Sequence, residues 1–176
     1  MSNWGETFGA VYRNAERKFA AGEHLPQRLF TSEETGFLRQ IGCTPQELFD
    51  FIEDASHGGD PAFETVLLVT SVRRDYFLFV QNGQPGTQQI DMDQLPAKTA
   101  ELDGIPWLPR IIEKAKAKLR GEMPADLMYL CGGDRPFLRK MNVDPADFLH
   151  IVWKHWEDTA AIVKFVKQSA GRSPGV

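Results

Sequence analysis

A chain of 176 residues, 42% hydrophobic and 11% aromatic, carries enough apolar side chain for one sizeable core but not for two large independent domains. Its net charge of −4 at pH 7 argues against a protein whose main task is neutralising nucleic-acid phosphates, so no nucleic-acid partner is expected. The opening residues hold no basic stretch followed by an apolar run, and the apolar stretches 66–69 and 76–80 are too short to span a bilayer, so neither export nor membrane insertion is expected. Cys43 and Cys131, the only cysteines, have no C-x-x-C spacing and read as reduced thiols, which points to the cytoplasm.

The first predicted element is a helix whose apolar face is Phe8, Val11, Tyr12, Ala15 and Phe19, ending near Gly22. A short second helix carries Phe37, Leu38 and Ile41, with Phe37 expected in a buried position equivalent to that of Phe137, and stops at Gly42, a residue that tolerates positive φ. Thr44-Pro45-Gln46-Glu47 then supplies an oxygen-bearing cap, a proline at the first helical position and an acid in the first turn. The segment from Asp60 through Phe63, Leu67 and Leu68 is read as a fourth helix. The β-branched and aromatic residues of 65–80 also suit a hairpin turning at Arg73-Arg74-Asp75.

These signals recur one hundred positions later, with Phe37-Leu38-Arg39 returning as Phe137-Leu138-Arg139, Ala15 and Lys18 as Ala115 and Lys118, and Pro45 as Pro145. Leu108, Ile111, Ile112, Ala115 and Leu119 repeat the first apolar face, and Gly121 follows it. Phe137, Leu138 and Met141 repeat the short helix up to Asn142, Asp144-Pro145-Ala146-Asp147 repeats the third start signal, and a fourth helix runs from Asp158 through Ile162, Phe165 and Val166. The expected fold is therefore all-α, a tandem pair of related four-helix units packed into one globular body with pseudo-twofold symmetry, because neither copy alone hides its apolar stripe. Residues 1–80 form the first, divergent repeat and residues 105–170 the second. Residues 81–104, with Asn82-Gly83, Pro85-Gly86 and Pro96, form an irregular connector. From Ser169 onward no apolar anchor remains, so the tail should fray, with 171–176 flexible.

The second half also carries Gly104-Ile105-Pro106-Trp107-Leu108-Pro109-Arg110, then Glu113-Lys114-Ala115-Lys116-Ala117, Gly121, Tyr129-Leu130-Cys131 and Asp134. This resembles the bacterial family called domain of unknown function 5069, whose pattern reads glycine, two apolar residues, leucine, any residue, arginine. Aspartate-lysine-x-arginine-alanine, a glycine, a tyrosine and cysteine-proline-leucine-aspartate follow. The resemblance covers about the last 75 residues. Glu113 stands for the aspartate, Lys116 for the arginine and Gly132-Gly133 for proline-leucine, while Arg110, Lys114, Tyr129, Cys131 and Asp134 match. At the equivalent positions the first half has Ala10, Asn14, Leu29, Thr31 and Glu34, so a site of the family type is expected only in the second half.

The sharper functional expectation is one pocket in that half, lined by Arg110, Lys114, Tyr129 and Cys131, for a small anionic metabolite. Arg110 and Lys114 lie one helical turn apart, and an arginine fork matches carboxylate or phosphate. A solvated charged face explains the same run of cations. Cys131 is the candidate nucleophile, and Glu113 with Asp134 a candidate acid/base pair. Against these stand a structural thiol and an aspartate that caps the helix containing Phe137. His150 and His155 are five apart, off the spacing that grips a metal, so neither metal nor cofactor is expected. The rival reading is a non-catalytic helical protein–protein interaction module, with a homodimer as one form. No motif fixes a reaction, and whether the protein is an enzyme stays open at this point.

Overall fold

The computed structural model describes residues 3–172. The chain is mostly helical, with nine α-helices and one two-stranded ladder among the described residues, and it divides into two compact units, Met1–Pro85 and Gly86–Val176. None of the described helices is long and apolar enough to cross a membrane.

The first unit opens with α1 (Trp4–Ala20), whose start is set by Asn3: its side-chain oxygen accepts from the Gly5 amide at 3.2 Å. The predicted face, Phe8, Val11, Tyr12, Ala15 and Phe19, is buried and packs on α4 (Pro45–Ser56) and α5 (Phe63–Phe79). A four-residue helix α2 (Pro26–Leu29) precedes α3 (Ser32–Gln40). It was not foreseen, because one turn started by a proline leaves no readable periodicity. Capping boxes start α3 at Thr31/Glu34 and α4 at Thr44/Glu47.

The hairpin reading of residues 65–80 gives way to helix: α5 runs through Arg73-Arg74-Asp75 without a break. Its β-branched residues serve burial rather than a pleat, since Val66, Val69 and Val72 lie in the core. Phe37, expected to be buried like Phe137, is only half-buried.

In the second unit the expected irregular connector holds a 3-10 turn at Met92–Gln94 and the strand β1 (Glu101–Leu102), paired antiparallel with β2 (Ile105–Pro106). Asp103 (φ +51°) and Gly104 (φ +74°) make the turn, in the two positive-φ positions that an Asp-Gly hairpin favours. Four helices follow: α6 (Leu108–Arg120), α7 (Asp134–Lys140), α8 (Pro145–Lys154) and α9 (Thr159–Ala170). Gly121 ends α6 in the left-handed conformation, and Asp144 and Asp158 cap α8 and α9 through their side chains. The core lies between α6 and α8, with α9 against α8.

The fraying expected from Ser169 is not seen there: Ser169 is buried and α9 continues to Ala170. Of the expected flexible tail, residues 173–176 lie outside the described residues.

Candidate functional site

Three elements deliver one buried polar cluster. The β1–β2 hairpin leads into Trp107, whose backbone sits at φ +71°, costly for a bulky residue, just before α6. The second turn of α6 presents Lys114 inward, the loop before α7 supplies Leu130 and Cys131, and the first residue of α7 is Asp134. Lys114 is 1% exposed and Asp134 is completely buried.

The Lys114 ammonium donates to Asp134 Oδ2 at 2.5 Å and to Cys131 Sγ at 3.1 Å. Asp134 Oδ2 also accepts the Leu130 amide at 2.9 Å, and Oδ1 accepts the Trp107 indole N–H at 2.9 Å. One carboxylate thus receives three donors from three segments. That saturation is what lets an ion pair stay in the core, where desolvation otherwise cancels the attraction of the charges.

The expected capping role of Asp134 is corrected by this arrangement. It is the first residue of α7, Gly133 occupies the cap position, and no side chain caps the helix. The carboxylate is turned inward because a buried ammonium binds it more strongly than a backbone amide would.

Leu130 holds a second positive φ, +73°, and its carbonyl accepts from Arg135 at 2.9 Å. The Cys131 carbonyl accepts the amides of Asp134 and Arg135, closing the loop. Gly133 packs so tightly on the indole that a Cβ there would stand 2.5 Å from Trp107 Cζ2. Gly132 is exposed and Cys131, like Trp107, is half-buried, whereas Lys114 and Asp134 are buried.

The other candidates lie apart from this contact set. Tyr129 is buried, and its hydroxyl donates to the Pro145 carbonyl at 2.8 Å, tying the loop to α8. Burial first, then the negative charges of Asp134 and Asp144, pushes that phenol well above its ordinary pKa. Arg110 donates to the Pro96 carbonyl at 2.8 Å and so braces the connector. Glu113 pairs with Lys116 at 3.3 Å and lines a polar groove of about 380 Å³ together with Asp91, Gln94, Arg120 and Glu122. Lys116 and Arg120 lie over the Trp156 ring.

Sequence reasoning missed Trp107, Leu130 and Arg135. Trp107 stood inside the quoted motif, where its place between a hairpin and a helix was the available signal. Leucine at positive φ leaves none, since the residue type argues against that conformation.

The model of the family described as Domain of unknown function (DUF5069) matches residues 93–175, so the second half carries the family's pattern, as Lys114, Tyr129, Cys131 and Asp134 indicated. No curated protein and no solved structure matches the chain.

Proposed function

We propose that the second unit binds one small anionic ligand, a carboxylate or phosphate, at the loop Cys131-Gly132-Gly133. The observation that carries this reading is the placement of the Lys114 ammonium, anchored to buried Asp134 and 3.1 Å from the sulfur of half-buried Cys131. Asp134 pairs with Lys114, and the Arg135 guanidinium, bonded to the Leu130 carbonyl, stands beside Gly132 and brings a second cationic side chain to the loop. The amides of Gly132 and Gly133 have no acceptor among the described contacts, so the same loop also offers backbone donors. In this reading Lys114 and Cys131 belong to the site, while Arg110 and Tyr129 hold the segments around it. Two thiols fit a reducing, cytoplasmic setting.

Calorimetric titration with phosphate, sulfate and acetate tests the proposal. One site per chain is expected, with Arg135→Gln weakening binding by about 1.5–3 kcal/mol if the guanidinium makes a charge-assisted contact. Equal affinity in wild type and variant for every anion that binds would reject it.

A second reading, the interaction module, is favoured by a different observation. Leu68, Phe79 and Val80 are 51%, 75% and 45% exposed in and just after α5. If they mediate a homodimer, sedimentation of the wild type shows a concentration-dependent dimer that Phe79→Asp dissociates. A monomer at every concentration removes the homodimer.

A further inference from the structure

We propose that Lys114 and Cys131 are the two ends of a reversible covalent cross-link, a nitrogen–oxygen–sulfur bridge formed with dioxygen. The bridge needs an amine nitrogen and a thiol sulfur held in contact, and Nζ and Sγ are hydrogen-bonded at 3.1 Å. Neither atom has to search for the other: Lys114 is locked by burial and by Asp134, and Cys131 is fixed by the two amides its carbonyl accepts. Cys131 is a half-buried residue beside exposed Gly132, a setting that gives an oxidant access that a fully buried cysteine lacks.

The chemistry balances on these groups. The ammonium first gives a proton to its carboxylate partner, Asp134, which exposes the nitrogen lone pair. One remaining N–H bond and the S–H bond then break, N–O and O–S bonds form, and the O–O bond of dioxygen is cleaved. One oxygen atom stays in the bridge and the other leaves as water with the two hydrogens. Nitrogen and sulfur each give up two electrons, which together reduce the dioxygen, and two molecules of a dithiol, each giving two electrons and two protons as it closes to a disulfide, restore amine and thiol and release the bridging oxygen as water.

The bridge would remove the ammonium and the thiol from the proposed anion site at once, making that site sensitive to oxygen. The cross-link itself rests only on the proximity of two atoms. Anion titration can fail while the cross-link forms, and the reverse.

The full chain is held in oxygenated or oxygen-free buffer, denatured with an alkylating reagent and weighed intact. The expected result in oxygen is a gain of about 14 Da before alkylation, one oxygen in and two hydrogens out, with one cysteine blocked to alkylation and full reversal by dithiothreitol. Peptide mapping should join the segments containing Lys114 and Cys131. Cys131→Ser should abolish the gain and Cys43→Ser should keep it, a control that holds even if Lys114→Met fails to fold. Two alkylatable thiols after oxygen exposure would overturn the proposal. So would a gain of only about 16 or 32 Da from simple sulfur oxidation, or the 14 Da gain persisting in Cys131→Ser.

Discussion

Lys114 donates to Asp134 at 2.5 Å where, one hundred positions earlier in the chain, Asn14 donates its side-chain amide to Glu34 at 2.6 Å. Both contacts tie the first long helix of a unit to the start of its short helix, through residues twenty apart. In the first unit the Glu34 carboxylate also accepts the Thr31 amide; in the second Asp134 accepts that of Leu130. The clamp is therefore part of how each unit holds its loop, and the second unit builds it from full charges next to a thiol.

That difference predicts unequal energetics. Lys114→Met or Asp134→Leu alone should cost about 3–5 kcal/mol, because each leaves a buried charge without its partner. The double variant should cost clearly less than the sum of the two. Asn14→Ala, which removes a hydrogen bond to a less buried carboxylate, should cost about 1–2 kcal/mol. Urea unfolding of the five proteins measures the cycle, and additive losses at 114 and 134 would show that the pair is not coupled.

The adjacent glycines should behave oppositely. A Cβ at 132 meets nothing closer than an Arg135 nitrogen at 3.9 Å, while one at 133 strikes Trp107 at 2.5 Å. Gly132→Ala should leave the melting temperature nearly unchanged. Gly133→Ala should lower stability by about 1–3 kcal/mol as the indole is displaced from Asp134. Equal melting curves for the two variants would contradict this packing.

The bond from Arg110 to the Pro96 carbonyl makes a separate prediction. Arg110→Ala should destabilise the fold by about 1 kcal/mol and speed amide exchange in the connector, leaving anion affinity unchanged. Selective loss of anion binding with unaltered stability would return Arg110 to the ligand site.

The pH dependence has a sign at each end. Tyr129 titrates well above its ordinary value and Tyr12 at about 12, each through burial first, with nearby carboxylates adding to it. A phenol raised by folding contributes stability that is complete below the unfolded pKa of about 10 and is lost as pH climbs toward the folded value. Stability should therefore fall above pH 10, and fall less steeply in Tyr129→Phe. At the acid end burial pushes Glu34 up, but the Thr31 amide, Asn14 and Lys18 outweigh it and hold it below its ordinary value. Its contribution is present at neutral pH and disappears as pH drops through the lowered pKa. Glu34→Gln should flatten that acid limb, which denaturant titration across pH reads directly.

Legibility in the sequence followed local chemistry. The starts at Thr44-Pro45 and Asp144-Pro145, and the positive-φ stops at Gly42 and Asn142, are where capping and backbone rules put them, because those signals act within a few residues. Arg73 shows the limit. A dibasic pair read locally looks like a turn, yet Arg73 is 1% exposed within a helix, its guanidinium bonded to Gln81 and stacked over Phe77, which only tertiary packing decides. Cys131, Lys114 and Asp134 could be named one by one from the motif. Their mutual contact, and the inward turn of Asp134, depend on Trp107 and Leu130 adopting conformations their side chains disfavour.

The indole of Trp107 gives the protein a built-in optical reporter. Its N–H is bonded to the carboxylate that anchors Lys114, whereas Trp4 lies under Arg74 and Trp156 under Lys116 and Arg120. A change in the charge or position of Asp134 should therefore shift the emission of one tryptophan out of four. Comparing spectra with those of Trp107→Phe isolates that signal, so occupancy of the loop or loss of the ammonium can be followed without an attached dye.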